Sequence, residues 1–317
     1  MNLNLEIDNR TLHLVGGVMG LLVLASAIGF GLSRTVKAEK ARATVANMNA
    51  RIRAWWVMVF IFVVAILSGR LVTVILFGFT SFMALREFIT LTPTRPGDHR
   101  TLFWAFFLVT PLQYYLVAIE WYGLFSILIP VYAFLLLPVR SAAAGDCTNF
   151  LARTSEIQWG LMICVYCVSH APALLILEIE GYENAGPLLL FFLVLVVQLS
   201  DVLQYVFGKL LGRRPVAPTV SPNKTVEGFL GGVLTASLIG GCLAWATPFN
   251  FWQACAMSLL ITMAGFFGGL VMSAIKRDRG VKDYGQMIEG HGGVLDRIDS
   301  ICFAAPFFFH VTRYFFA

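Results

Sequence analysis

The sequence predicts an all-α, polytopic integral membrane protein with about ten transmembrane helices, and three observations support this fold class. Of its 317 residues, 58% are apolar and only 13% are charged, whereas soluble domains carry about 25% charged residues. The apolar residues form long runs separated by short polar segments, and the basic residues fall in alternate segments. So few charges cannot cover a water-soluble protein of this size, and much of the surface must therefore face hydrocarbon.

Ten apolar runs approach the length of about 20 residues that a helix needs to cross the hydrocarbon core of a bilayer. The second and third runs are short and are separated only by the tripeptide at residues 68–70. They predict either a helical hairpin or one long tilted helix. The ten runs cover residues 11–32, 54–68, 71–89, 101–118, 121–139, 158–178, 187–208, 228–247, 251–275 and 299–316.

The distribution of Lys and Arg decides between these alternatives, because basic residues are retained on the cytoplasmic side of a membrane. With the hairpin, 20 of the 23 basic residues fall on one side, leaving Arg10, Arg70 and Arg313 on the other. A single long helix breaks this pattern. We therefore predict ten spans, with the two long polar segments at 201–228 and 273–299 facing the cytoplasm. The basic residues form no extended stripe, so the net charge of +5 does not indicate nucleic acid as a partner.

Residues 1–53 are predicted to contain one transmembrane helix and a basic linker, ahead of the main transmembrane domain at 54–317. The Ala-rich linker at 33–53 admits two interpretations. It is either a helix that lies on anionic lipid headgroups or a plain determinant of topology. The six cysteines include no second C-x-x-C pair, so we interpret them as packing residues and not as zinc ligands.

The polar segment at 273–299 mixes basic and acidic side chains with glycines beside a histidine. Asp296 and Asp299 are three residues apart, so on a helix both carboxylates share one face and can bind Mg²⁺ together with substrate phosphates. Glycines allow close approach of the backbone to a phosphate, and basic side chains neutralise its charge. This mixture is typical of Mg²⁺-assisted phosphoryl or nucleotidyl transfer; the alternative is a juxtamembrane loop with surface ion pairs. The candidate residues are Lys276, Arg277, Lys282, Asp283, His291, Gly292, Gly293, Asp296, Arg297 and Asp299.

The polar segment at 201–228 begins inside the seventh apolar run, at Asp201. An ionisable group within such a run is costly and therefore indicates a functional role. Further along, hydroxyl, amide and ammonium groups occur close together and can converge on an anion; a capped helix start is the alternative. The two interpretations are compatible, because helix N-termini bind phosphate. The candidate phosphate-binding residues are Ser221, Asn223, Lys224 and Thr225.

These residues resemble the phosphatidate cytidylyltransferase, or CDP-diglyceride synthetase, family. The family pattern S-x-x-K-R-x4-K-D-x6-G-H-G-G-x-x-D-R-x-D is matched at every fixed position between Ser273 and Asp299. A second block of the family is matched further upstream, so the clear likeness covers residues 201–300. The upstream matches are Asp201, Tyr205, Gly208, Ser221, Pro222, Lys224, Thr225, Glu227 and Gly228.

The resemblance implies a helical membrane enzyme that joins CTP and phosphatidate, releases pyrophosphate and uses Mg²⁺. It implies that Asp296 and Asp299 bind the metal and that Lys224 holds a phosphate. Asp201 and Asp283 complete the catalytic set, and the other candidate residues bind substrate. The enzyme is expected in the bilayer of a bacterial inner membrane with its active site on the cytoplasmic side, and assembly as a homodimer is left open.

One departure from the family concerns a second metal position. Many bacterial members have G-D-L where this chain has Gly268-Gly269-Leu270, whereas eukaryotic-type members resemble the Gly-Gly form. Two other functions stay open: a paralogue that activates a different lipid phosphate, and a transporter or non-catalytic scaffold. The intact Asp296, Asp299 and Lys224 argue against the second, because transporters more often contain paired broken helices in repeated halves.

Overall fold

The computed structural model describes residues 9–35, 39–183, 186–287 and 292–317. Within these ranges, ten long helices follow one another and are joined by short loops and one two-stranded hairpin. The helices are α1 (Asn9–Thr35), α2 (Glu39–Leu67), α3 (Arg70–Thr90), α4 (Pro96–Ala118), α5 (Tyr122–Ala142), α6 (Phe150–Ile176), α7 (Gly186–Leu211), α8 (Val226–Cys242), α9 (Phe251–Asp278) and α10 (Leu295–Phe316). The strands β1 (Pro215–Ala217) and β2 (Ser221–Thr225) pair antiparallel between α7 and α8.

The predicted fold class is confirmed, and each of the ten apolar runs lies wholly or largely on one of these helices; the run at 228–247 extends beyond the end of α8 at Cys242. Among the described residues, eight helices are long and apolar enough to cross a membrane, namely α1 to α7 and α9. The other two are special cases. Helix α8 is apolar but has 17 residues, and α10 has 22 residues and begins with a charged turn. Both adjoin the polar segments that the sequence singles out.

Helices α2 and α3 form the predicted hairpin. Gly69, between them, has φ 106°, a conformation that glycine adopts without the penalty a side chain imposes. Phe62 and Phe77 lie about equally far from this turn, and their ring centroids are 6.4 Å apart. The hydroxyl of Thr73 also donates a hydrogen bond to the Ala65 carbonyl at 3.1 Å. The chain therefore folds back on itself, and the single tilted helix is excluded.

Of the basic segment at 33–53, residues 39–53 continue directly into α2. No glycine or proline interrupts this stretch, so the helix runs unbroken through it. It packs back on α1: Asn49 donates a hydrogen bond to the Gly29 carbonyl at 3.4 Å, and Trp56 donates one to the Ser26 hydroxyl at 3.0 Å. The domain boundary proposed at residue 53 therefore falls inside a helix.

Alternate loops meet at the same end of the helix bundle, as the charge pattern predicts. At one end, Arg153 pairs with Asp98 at 3.1 Å, and both side chains are buried. Arg279 pairs with Glu156 at 2.7 Å at that end too. At the opposite end, Arg70 pairs with Glu120. The hairpin of β1 and β2 and the loop between α9 and α10 lie at the first of these ends.

Small residues allow α8 to pack closely between α7 and α9. A Cβ atom at Gly231 would lie 2.6 Å from the Phe207 ring of α7, and one at Gly240 would overlap the Ser258 side chain of α9. Glycine at these positions lets helix backbones approach, as is usual within membranes. The close packing brings the start of α8, the end of α7 and the middle of α9 around one polar cavity.

Candidate active site

The end of the bundle that carries the hairpin contains a polar cavity of about 350 Å³. Its walls come from α7, β2, α8, α9 and α10. Eight of the residues singled out from the sequence line it together, although they span almost one hundred positions of the chain. These eight are Asp201, Ser221, Asn223, Lys224, Thr225, Asp296, Arg297 and Asp299.

Two carboxylates in the cavity share one hydroxyl group. Ser300 Oγ lies 3.0 Å from Asp201 Oδ2 and 3.5 Å from Asp299 Oδ1. The Ser300 backbone N–H also donates to Asp299 Oδ1 at 2.8 Å. A hydroxyl has a single proton to donate, so it can donate to only one of the two carboxylates at a time and leaves both negative charges in place. Both carboxylates lie within hydrogen-bonding distance of the same hydroxyl, and a cation bound between them would offset their mutual repulsion.

Asp296 lines the same cavity but already accepts three hydrogen bonds from the protein. Its Oδ1 accepts a charge-assisted bond from Lys276 Nζ at 2.8 Å. Its Oδ2 accepts the backbone N–H groups of Tyr284 at 2.8 Å and Gly293 at 3.0 Å. The side chain is 3% exposed. Asp296 therefore ties the loop between α9 and α10 to the first turn of α10, a contact that sequence spacing does not reveal.

Lys224 projects from β2 into the cavity beside the two carboxylates. Its Nζ lies 4.9 Å from the centroid of the Phe266 ring, and it makes no hydrogen bond or ion pair with another residue that the structure describes. Burial lowers the pKa of this ammonium below its ordinary value, and the charges of Asp201 and Asp299 oppose that shift. An ammonium without a fixed partner is free to bind an incoming phosphate.

Gly269 of α9 provides the space that the Lys224 ammonium occupies. A Cβ atom at Gly269 would lie 2.7 Å from Lys224 Nζ and 4.0 Å from Asp299 Oδ2. Any side chain at this position would displace the ammonium. The departure from G-D-L therefore has a local consequence: a cationic side chain lies where a carboxylate would stand in many bacterial relatives of the resembled family.

The strand pairing explains how Lys224 is positioned. Pro215 pairs with Thr225 across the hairpin, and Thr225 is the N-cap of α8, where its hydroxyl accepts the Gly228 N–H at 3.1 Å. Glu227 Oε2 accepts the backbone N–H groups of Arg213 and Arg214 at 3.0 and 3.1 Å, which lowers the pKa of this carboxyl. The predicted capped helix start is confirmed, and Lys224 stands immediately before it.

Several predicted site residues lie outside the cavity. Arg277 is exposed and donates to the backbone carbonyls of Val220 at 3.3 Å and Val281 at 3.0 Å, so it holds the hairpin against the following loop. Lys282 and Asp283 are exposed on that loop. The Gly293 N–H donates to Asp296 Oδ2, and Gly292, with φ 81°, lies so close that a Cβ atom there would be 2.8 Å from the same oxygen. His291 lies outside the described residues.

The donor set fits a hard divalent cation. No group of three or more His, Cys, Asp or Glu side chains gathers within the described ranges. Mg²⁺, however, needs only one or two carboxylates, because water and substrate phosphates complete its octahedral shell. Asp201 and Asp299, joined by Ser300, provide such a pair in the cavity.

An apolar groove of about 320 Å³ adjoins the polar cavity, and Arg297 lines both. The groove is formed by α2, α3, α7 and α10, and its walls are almost entirely apolar. The Nε atom of Arg297 is buried and has no hydrogen-bond partner among the described residues. The structure therefore places one guanidinium between a polar cavity and a surface that suits hydrocarbon chains.

Two residues near this site, Ser300 and Glu87, are not among the candidates predicted from the sequence. Nothing in the sequence around Ser300 indicates a functional role, apart from its position next to Asp299. The sequence around Glu87 of α3 does give such an indication, because Glu87 is a carboxylate at the end of an apolar run, where ionisable residues indicate function. It is buried, at 8% exposure, and contacts the start of α10.

Known proteins that are similar to this chain belong to the family that its motif at residues 273–299 resembles. A sequence profile of the cytidylyltransferase family matches residues 49–315. The uncharacterized protein YnbB of Escherichia coli (strain K12) is 43% identical over 300 residues, which are 94% of this chain and 96% of that protein. The phosphatidate cytidylyltransferase of Staphylococcus aureus (strain COL) is 28% identical over 267 residues, or 82% and 96% of the two chains. That of Staphylococcus epidermidis is 36% identical over 156 residues, or 48% and 60%.

The profile extends over most of the chain, from within α2 to the end of α10. It includes the polar cavity and every element that forms it. The resemblance inferred from the residues at 201–300 is thereby confirmed. The chain belongs to the cytidylyltransferase family, and it is a membrane-embedded nucleotidyltransferase.

Proposed function

We propose that this enzyme transfers CMP from CTP to phosphatidate, forming CDP-diacylglycerol and pyrophosphate for phospholipid biosynthesis. The observation that carries the proposal is the position of Arg297, which lines both the polar cavity and the apolar groove. A lipid phosphate has the matching chemistry, an anionic head on hydrocarbon chains. The staphylococcal relatives with the name phosphatidate cytidylyltransferase support the same acceptor.

The cavity suits the nucleotide in this scheme. Lys224 binds the triphosphate as a point charge, with the polar groups of Ser221, Asn223 and Thr225 on the same strand. Arg297 binds the lipid phosphate at the junction with the groove. An oxygen of phosphatidate attacks the α-phosphorus of CTP, a new P–O bond forms, and the bond to the β-phosphate oxygen breaks. The electron pair of that bond leaves with pyrophosphate.

We assign the divalent cation to Asp299 and Asp201. When bound, Mg²⁺ would neutralise charge that develops on the phosphate oxygens during transfer. The resemblance implies Asp296 as a ligand, but that role requires Lys276 to give up the bond to Asp296 Oδ1. In this proposal Asp296 orders the loop between α9 and α10, and Lys276 holds it from α9.

We also propose that the cavity faces the cytoplasm in a bacterial inner membrane. The loops at its end of the bundle carry most of the basic residues of the chain, which is the pattern of cytoplasmic loops.

The function is tested with purified protein in detergent, radiolabelled CTP and a panel of lipid phosphates. Phosphatidate should give a labelled CDP-lipid together with one equivalent of pyrophosphate. The panel should include a polyprenyl phosphate and lysophosphatidate, because a paralogue would prefer another acceptor. Turnover with a different lipid phosphate, and none with phosphatidate, would assign a different substrate to the same chemistry. No labelled lipid from any acceptor would contradict the proposed activity.

The metal assignment predicts loss of transfer in excess chelator and recovery on addition of Mg²⁺ or Mn²⁺. Direct Mn²⁺ binding to the protein should weaken at least tenfold in Asp299→Asn and Asp201→Asn, because each loses a charged ligand. In Asp296→Asn the Mn²⁺ affinity should change less. If Asp296→Asn abolishes Mn²⁺ binding while Asp201→Asn retains it, the ligand pair is Asp296 and Asp299.

A further inference from the structure

Glu87 of α3 contacts the start of α10 through both of its carboxylate oxygens. Oε1 accepts the backbone N–H of Val294 at 2.9 Å, and Oε2 accepts that of Leu295 at 2.8 Å. The two partners lie more than 200 positions further along the chain. The carboxylate is buried and lies at the end of the bundle that holds the polar cavity.

The start of α10 needs such a partner. The first N–H groups of a helix have no acceptor within the helix, and a Ser, Thr, Asp or Asn at the N-cap usually supplies one. Here the N-cap is Val294, which has no side-chain acceptor. Glu87 therefore caps α10 from another helix, and its negative charge also suits the positive end of the helix dipole.

The loop before α10 is shaped around this carboxylate. A Cβ atom at Gly285 would lie 2.6 Å from Glu87 Oε1, and one at Gly293 would overlap Oε2. The backbone thus approaches the carboxylate at two positions, and a side chain at either would displace it. This arrangement holds Gly285 and Gly293 in place relative to α3.

The contact between Glu87 and the start of α10 is linked to the polar cavity through Gly293 and Asp296. Asp296 is the second residue of α10, and it accepts the N–H of Gly293, the residue that packs against the Glu87 carboxylate. Arg297 and Asp299 follow within the same turn. The position of the first turn of α10 therefore determines where all three side chains stand in the cavity.

We propose that Glu87 is a positioning residue for nucleotidyl transfer, which caps α10 in trans and so fixes Asp296, Arg297 and Asp299 at their places in the cavity. This inference rests on the proposed function for its activity readout but not for its structural one. Met83, one helical turn before Glu87, lines the apolar groove. Helix α3 therefore contributes Met83 to the groove proposed for the lipid chains and Glu87 to the start of α10, the helix that bears Asp296 and Asp299.

The test compares Glu87→Gln with Glu120→Gln in purified protein. Glu120 is the matched control because it pairs with Arg70 at the opposite end of α3. A glutamine in place of Glu87 offers one acceptor oxygen instead of two, so amide hydrogen exchange across residues 292–299 should accelerate. We expect kcat per folded molecule to fall by about a hundredfold, the usual effect of a misplacement near 1 Å. Mn²⁺ affinity should weaken too, while the KM for CTP changes little. The control should match the wild type in all four measurements.

A purely structural role gives a different result, because it lowers the unfolding temperature while the folded molecules keep wild-type kcat and Mn²⁺ affinity. That result, or unchanged exchange at 292–299, would overturn the proposal. If Glu87→Gln does not fold, Glu87→Asp decides, since it keeps the charge but is shorter by one methylene. Reduced kcat of folded Glu87→Asp supports positioning, and wild-type kcat, or failure of this variant to fold as well, overturns it. If the wild type itself lacks transferase activity, the proposed function fails, and exchange and Mn²⁺ binding still decide the role of Glu87.

Discussion

Asp296→Asn should reduce cytidylyl transfer at saturating Mg²⁺ and CTP by about a hundredfold or more. Asparagine keeps the size of the side chain but replaces one acceptor oxygen by a donor amide. That amide must face either the Lys276 ammonium or the paired N–H groups of Tyr284 and Gly293. Either choice leaves buried donors without an acceptor, which costs about 1–3 kcal/mol per group. The rate of labelled CDP-lipid formation is the measurement.

Asp278→Asn is the matched control for this variant. Asp278 is the last residue of α9, is largely exposed and pairs only loosely with its neighbour Arg279 at 3.3 Å. The same chemical change should therefore leave transfer unaltered there. Wild-type turnover by correctly inserted Asp296→Asn protein would show that the loop between α9 and α10 does not need this anchor.

Lys224→Ala should lower kcat/KM for CTP by about a hundredfold, because it removes a charged phosphate donor from a partly buried cavity. A second variant, Gly269→Ala, tests the position of the ammonium and not only its presence. Its added methyl would displace the ammonium without removing it, so its effect should be smaller and in the same direction. Lys209→Ala, an exposed lysine on the last turn of α7, should retain wild-type kinetics. A normal KM for CTP in Lys224→Ala would place the triphosphate elsewhere.

The pH dependence provides a second test of Lys224. Burial lowers the pKa of its ammonium, so the charged form is present at low pH and is lost as the pH rises through that lowered pKa. The KM for CTP should therefore rise on the alkaline side earlier than an ordinary lysine would cause. Lys224→Arg keeps its charge across this range and should shift the rise to higher pH. An alkaline limb that is identical in both proteins would assign it to another group.

The sequence predicted the helices well because each apolar run contains its own signal. Length and hydrophobicity identify a span without any knowledge of its neighbours, and the charge pattern was enough to predict the turn at Gly69. The cavity also brings together eight of the candidate residues, among them Asp201, Lys224 and Asp299.

The individual roles within the site could not be predicted in this way. The spacing of Asp296 and Asp299 suggests two equivalent ligands, yet tertiary contacts give Asp296 three hydrogen-bond donors and leave Asp299 beside Asp201. Arg277 matches the motif but binds backbone carbonyls on the surface. Glu87 caps a helix more than 200 residues away. These contacts depend on which helices pack together, which local periodicity does not encode.

The contact between Ser300 and Asp201 has a consequence for how the protein is made. The two residues are 99 positions apart, so at about 5–20 residues per second Ser300 leaves the ribosome about 5–20 s after Asp201. Lys224 is synthesised early in that interval, but Ser300, whose hydroxyl donates to the Asp201 carboxylate, is synthesised only at its end. A charge in a membrane helix costs about 2.5–3.5 kcal/mol on insertion scales. We therefore expect α7 to stay at the insertion machinery, or at the edge of the bilayer, until α10 arrives.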